Sequence, residues 1–430
     1  MRWDRLVPLG RRAAVGVAGG NPAFIRHAVR LECDSMRLFF CDNCRQTLFF
    51  ENFRCIKCDH VLAYLPELAE IVSLEPAGDG LWTPQAPEAG GKLYRLCENY
   101  AEKNVCNWAV PVEQEAPLCR SCQFTETIPD LSQPGRHEAW YALEVAKRRL
   151  IYSLMALGLP LVPKREDPER GLEFHFLADP PNPDPDAPPI LTGHANGVIT
   201  LNLAEADDAE RERRRVTMHE PYRTLLGHVR HEVGHYYWDR LIRDGGWLNE
   251  CRAVFGDDRE DYAAALERHY QQGPRPDWQS QFVSAYASVH AWEDWAETWA
   301  HYLHITDTLE TAAACGLALP PQGPNASRIR PRFSLEKAEH ASFDEMMNDW
   351  FAMTYVLNSL NRGLGQKDSY PFVLSQPAVE KLRFVHRVCT EPAPAAVDGD
   401  PANSPDASAS PPAAAIVAPL SQTQSQGQSA

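Results

Sequence analysis

Apolar residues recur at spacings of three and four over residues 136–158 (RHEAWYALEVAKRRLIYSLMALG), which predicts a helix with one buried face. Two short runs, GLEFHFLA at 171–178 and GVITLNLA at 197–204, alternate or cluster apolar residues at strand length and flank a proline-rich loop at 180–189. They predict a short sheet, with residues 197–203 as its edge strand, where an extended peptide could add as a further strand. The run DDAERERRR that follows reads as a solvated helix face. A second amphipathic helix is predicted over RTLLGHVRHEVGHYYWDRLI, then a turn and a helix ending near Gly273 over FGDDREDYAAALERHYQQGP. From Ser284 to His304, helical spacing puts Trp292, Trp295, Trp299 and Tyr302 on one face and Glu293, Glu297, His301 and His304 on another. The aromatic face is core; glutamates on so apolar a helix call for partners. Residues 333–365 and 377–388 predict helices that cover this core.

Before residue 136 no such period runs, and cysteines set the pattern instead. In CDNCRQTLFFENFRCIKC, Cys41/Cys44 and Cys55/Cys58 form two CxxC pairs, each able to present two thiolates to one ion from a tight knuckle. The intervening aromatic run suits a short hairpin. Cys97, Cys106, Cys119 and Cys122 offer four more thiolates for a second zinc. Interleaved pairing of the two sets, or one zinc with spare thiols, stays open on spacing alone. Cys33, Cys251, Cys315 and Cys389 stand isolated and read as free cysteines. So small a domain buries little core, so metal would carry much of its folding energy. Turn formers in QFTETIPDLSQPG close the region.

With 430 residues, 44% hydrophobic and 10% aromatic, the chain has the size and composition of a folded soluble protein of two or three domains. The net charge of -16 argues against a nonspecific nucleic-acid binder. No apolar run approaches the ~18 residues of a membrane span. The first residues carry arginines but no apolar core or cleavage site of a secretory signal, so the cytoplasm is the expected compartment. Residues 1–35 lack periodicity and are expected to be a disordered extension. Met36 is a candidate native start, with a genuine disordered N-terminus as the alternative. From about 391 the chain turns to Pro, Ala, Ser and Gln, a composition too poor in apolar residues to order itself.

Within the second predicted helix, His231 and His235 stand four residues apart, so both imidazoles leave one face and can reach one zinc ion. Glu232 stands beside them as a general base. A catalytic zinc takes three protein ligands, and Glu293 is the expected third, with Glu297 bracing a ligand histidine as in thermolysin-like enzymes. The exchange of the two glutamates stays open; Asp294 projects about 100° away. His228 shares the histidine face and reads as a supporting or structural group. His290, His301 and Tyr286 are candidates to stabilise the transition state.

With these motifs, the chain resembles the bacterial family of zinc-ribbon proteins fused to a zinc-binding metallopeptidase domain, within the HExxH zincin group. The resemblance rests on FFCDNC…FFENFRCIKC, CNWAV…CRSC, TGHANGVITLNLAEADD, PYRTLLGHVRHEVGHYYWDRL, FGDDREDY and HAWEDWAETWAHYLHITDTLETA, spanning roughly residues 36–388. The expected fold is α+β: a double zinc ribbon of small β structure at 36–130, then a mostly helical zincin-like domain with a short sheet at 136–390. The expected activity is zinc-dependent peptide hydrolysis, with the ribbon recruiting a peptide or protein substrate or a protein partner. Two other readings are a non-catalytic zinc-binding adaptor and a ribbon that localises the protein on nucleic acid; the acidic charge weighs against the latter.

Overall fold

In the cysteine-rich N-terminal region the first two CxxC knuckles are each closed by the residue after the second cysteine. Arg45 (φ 60) and Asp59 (φ 58) take left-handed conformations, and their amides bond back to the carbonyls of Cys41 and Cys55 at 2.7 and 2.9 Å. This computed structural model describes residues 38–180, 190–217, 223–317 and 342–394. The expectations for residues 1–35, Met36, Cys33, most of the proline-rich loop and the tail beyond 394 lie outside them.

Strands β1 (Phe39–Phe40) and β2 (Thr47–Leu48) pair antiparallel around the first knuckle. A five-stranded antiparallel meander follows, β3 (Val61–Leu65), β4 (Glu70–Gly78), β5 (Leu81–Pro84), β6 (Tyr94–Leu96) and β7 (Ala109–Pro111), in chain order. Asp79 and Gly80, at φ 52 and 73, form the tight turn between β4 and β5. The short helix α1 (Glu98–Ala101) starts directly after Cys97.

Helix α2 (Arg136–Ala156) packs against this β region. Its Tyr152 ring meets Phe50 and Tyr64 at 5.5 and 6.0 Å, and Tyr141 stacks on Phe53 at 6.1 Å. The hydrophobic core therefore runs without a break from the meander into the helical part.

A second sheet has the order β10-β11-β9-β8, from β8 (Thr125–Thr127), β9 (Glu173–Leu177), β10 (Gly193–Ala195) and β11 (Val198–Asn202). The expected edge strand is corrected here. β11 is interior, parallel to β9 and antiparallel to β10, so β10 and β8 are the edges. The cause is the Asn-Gly pair in TGHANGVITL: Asn196 (φ 49) and Gly197 (φ 80) turn the chain into a hairpin.

Helix α3 (Asp208–Thr217) carries surface ion pairs such as Arg215–Glu212. Helix α4 (Leu225–Tyr237) starts at Thr224, whose hydroxyl accepts from the Gly227 amide at 3.0 Å, and runs into a π-helical turn at Trp238–Arg243. Helices α5 (Leu248–Phe255), α6 (Tyr262–Gln272) and α7 (Trp278–Gln281) lead to α8 (Ala291–Ala314), which crosses α4. Helices α9 (Phe343–Gly363) and α10 (Gln376–Thr390) cover the far side of α8. Among the described residues, no helix is long and apolar enough to cross a membrane.

Gly234 is what lets α4 and α8 approach. A Cβ there would stand 3.0 Å from the Ala296 Cα, and the Trp295 indole N–H donates to the Gly234 carbonyl at 2.8 Å. Gly234→Val is expected to destabilise the chain by about 1–3 kcal/mol through overpacking. Calorimetry reads this as a Tm several degrees lower; an unchanged Tm would mean that the helices part freely.

Candidate metal centre

The crossing of α4 and α8 assembles the candidate site. One turn of α4 separates His231 from His235, and their Nε2 atoms lie 3.2 Å apart. Glu293, in the first turn of α8, puts Oε2 at 3.1 Å from His231 Nε2 and 3.5 Å from His235 Nε2. All three side chains are buried. A tetrahedral zinc with bonds of about 2.0–2.2 Å to nitrogen and oxygen has edges near 3.3 Å, so these three atoms match one face of such a tetrahedron. Glu293 Oε2, His235 Nδ1 and Glu232 Oε2 are all buried without a hydrogen-bond partner, which is costly unless a cation or water completes the site.

The surrounding groups fix the directions of these side chains. Glu297 Oε1 meets His231 Nδ1 at 2.7 Å, and Ser284 Oγ donates to Glu297 Oε2 at 2.6 Å. Tyr262, at the start of α6, donates its hydroxyl to Glu293 Oε1 at 2.7 Å. Sequence reading misses Tyr262, because nothing in the FGDDREDY run says that its hydroxyl meets a residue 31 positions away.

The other expected residues fall at different distances from this triad. Tyr286 stands over it, its ring 5.9 Å from that of His231. His290 caps α8: Nδ1 accepts from the Trp292 amide at 3.1 Å and Nε2 donates to the Glu260 carbonyl at 3.1 Å, so both nitrogens are engaged by backbone. His301 bonds the Tyr370 hydroxyl at 2.5 Å and is not brought to the triad. His228 lies 3.2 Å from Glu205 and serves that buried carboxylate. His194 on edge strand β10 is a further neighbour; its ring lies 6.2 Å from that of His235.

Electrostatics describe a site that holds protons until a cation replaces them. Burial opposes charge on His231, but Glu293 and Glu297 outweigh it and hold its pKa well above the ordinary value. For Glu293, burial is likewise outweighed, by the His235 and His231 rings, and the carboxyl sits below its usual range. Burial pushes Glu232 up to about 8. A divalent ion between the histidines would displace the proton on His231 and draw Glu232 back down, so metal uptake releases protons.

The eight ribbon cysteines form two separate clusters, each from four consecutive cysteines rather than interleaved. Sulfur pairs lie at 3.6 Å (Cys41–Cys58) and 3.4 Å (Cys44–Cys55) in the first cluster and 3.6 Å (Cys106–Cys119) in the second. These separations exclude disulfides and approach the ~3.8 Å edge of a zinc tetrathiolate. In the second cluster the amides of Cys119 and Trp108 donate to the Cys97 and Cys106 sulfurs at 3.3 and 3.4 Å. Cys251, Cys315 and Cys389 are free.

Residues 136–388 match the family model described as "Putative zinc-binding metallo-peptidase". The chain belongs to that family. Residues 38–133 match a zinc-ribbon domain. The chain is similar to uncharacterized proteins of Mycobacterium bovis (strain ATCC BAA-935 / AF2122/97) and Mycobacterium tuberculosis (strain ATCC 25618 / H37Rv). Each is 43% identical over 371 residues, covering 86% of this chain and 99% of the relative. No solved structure matches.

In this metallopeptidase-family chain, Tyr262 is hydrogen-bonded to Glu293 and would act on a bound metal only through it. Tyr262→Phe is expected to weaken zinc binding at the helical site about 10–100-fold, as loss of a group that orients a ligand does. Competition with a chelator of known affinity measures it; unchanged affinity would mean that Glu293 is held by helix packing alone.

Proposed function

We propose that this chain is a zinc-dependent endopeptidase in which His231, His235 and Glu293 hold the ion and Glu232 is the general base. The carrying observation is the buried, unpartnered Glu232 Oε2 beside two histidines and a carboxylate spaced as one face of a tetrahedron. A zinc ion held by these three residues would acidify a bound water and polarise a peptide carbonyl. Glu232 takes the proton of the attacking water and returns it to the leaving amine. Glu297 and Ser284 hold the His231 ring, and Tyr262 holds Glu293. In this reading Tyr286, whose ring lies 5.9 Å from that of His231, donates to the developing oxyanion. Among the described residues edge strand β10, whose His194 ring lies 6.2 Å from that of His235, has one unpaired side and suits an extended peptide added as a strand.

The ribbon in this reading recruits substrate or a protein partner. Leu38, Phe40 and Phe49 are exposed on the outer face of the β1–β2 hairpin, and Ile56 stands exposed on the second knuckle, an apolar display that suits a protein partner. Eight cysteines gathered in two groups that could each hold a metal ion, rather than paired as disulfides, support a reducing compartment such as the cytoplasm.

The test is to incubate zinc-loaded protein with a complex peptide mixture and read new termini by mass spectrometry. Cleavage is expected to stop with 1,10-phenanthroline and resume on stoichiometric zinc. No new termini from a fully zinc-loaded protein would favour the non-catalytic adaptor.

A further inference from the structure

Helix α2 sends a charged side chain into the ribbon. Arg148 is 1% exposed, and its Nη1 donates to the carbonyl of Val105, the residue before Cys106. Its Nη2 is buried with no hydrogen-bond partner. The neighbouring carboxylate, Glu144, is engaged by Lys147 Nζ and by the Thr125 hydroxyl, each at 2.9 Å. Among the described residues, then, Arg148 has no carboxylate of its own. Burial opposes its charge, and Cys106, Glu144, Cys122 and Cys119 together outweigh that, holding its pKa above the ordinary value.

All four cysteines of the adjacent cluster, Cys97, Cys106, Cys119 and Cys122, are buried. A zinc dication with four thiolates has a net charge of about -2. In a buried site that excess negative charge needs a counter-charge, and thiolates accept charge-assisted hydrogen bonds. The first cluster differs: Cys44 and Cys58 are only partly buried, so water screens it.

We infer that Arg148 is the counter-charge and N–H donor of the second ribbon cluster, so that the ion held there also fastens the ribbon to α2. This rests on the reading of that cluster as a zinc site. The buried Nη2 supplies the donor, and the tetrathiolate supplies an acceptor and negative charge beyond that of Glu144, which is shared with Lys147. Metal loading of the ribbon and docking of the two parts are thus one event. Losing the ion by chelation leaves a buried cation without its counter-charge in the interface.

The experiment follows zinc release from the full chain to a chromophoric chelator in the wild type, Arg148→Met, Arg149→Met and Cys119→Ser. Cys119→Ser identifies the phase belonging to this cluster by removing it. Arg148→Met is expected to speed that phase at least ~10-fold and to leave the others unchanged. Arg149 also reaches the ribbon, but its charge is paired with the Glu51 carboxylate at 2.6 Å, so Arg149→Met is expected to leave the phase at its wild-type rate. If Arg148→Met does not fold, Arg148→Gln, which keeps an amide donor for Val105 and loses the charge, carries the same expectation. Release at the wild-type rate from the folded Arg148 variant, or equal acceleration in Arg149→Met, overturns the inference. No zinc lost and no release phase altered in Cys119→Ser would instead show that the cluster binds none, and the reading beneath the inference would fall with it.

Discussion

Glu232→Gln is expected to keep its full zinc content and to lose at least ~10²-fold in kcat/KM on any peptide that the wild type cleaves. The substitution preserves volume at a position 1% exposed, so packing between α4 and its neighbours is unchanged. Glu232 is not among the three side chains whose donor atoms converge, so zinc stoichiometry should not move. What changes is proton transfer: an amide cannot take a proton from water and hand it to the leaving amine. The loss should fall on kcat with little change in KM, because removal of a group that acts only in the transition state has that signature. A variant with wild-type turnover, or one that has lost zinc, would remove Glu232 from the general-base role.

The HExxH face is legible in the sequence because both histidines lie on one helix, where spacing alone decides which side chains meet. The aromatic stripe of α8 is legible for the same reason: Trp292, Trp295, Trp299 and Tyr302 are all buried. Groups that depend on contact between elements are less so. Glu293 is reached by asking what completes a metal site, not by any local pattern. Tyr262 reads as an ordinary helix start until α6 is seen against α8. Arg148 reads as the polar side of an amphipathic helix, yet the ribbon covers that side and leaves it buried. The edge strand is misplaced because β10 has only three residues, too few to show alternation. The Asn-Gly turn beside it was the available signal, since that pair favours a two-residue hairpin.

Glu293→Ala is expected to lower zinc from about three ions per chain, one for each group of converging donors, to about two. Glu297→Ala is expected to keep the ion and weaken its binding about 10–100-fold. The asymmetry follows from which atoms are engaged. Glu297 already meets His231 Nδ1 and Ser284 Oγ with its two oxygens, so it would have to abandon both to become a ligand. Glu293 has Oε1 engaged by Tyr262 and Oε2 turned toward both histidine Nε2 atoms. Removing Glu293 leaves two neutral imidazoles as the only protein ligands, and a zinc ion held by two groups exchanges readily with a chelator. Removing Glu297 leaves the three ligands in place but frees the His231 ring to turn and makes it less basic. Elemental analysis of the two variants beside the wild type, with circular dichroism to confirm that each is folded, separates the cases. Loss of one ion in Glu297→Ala and none in Glu293→Ala would exchange the two roles. Equal retention in both would mean that neither glutamate is the third protein ligand.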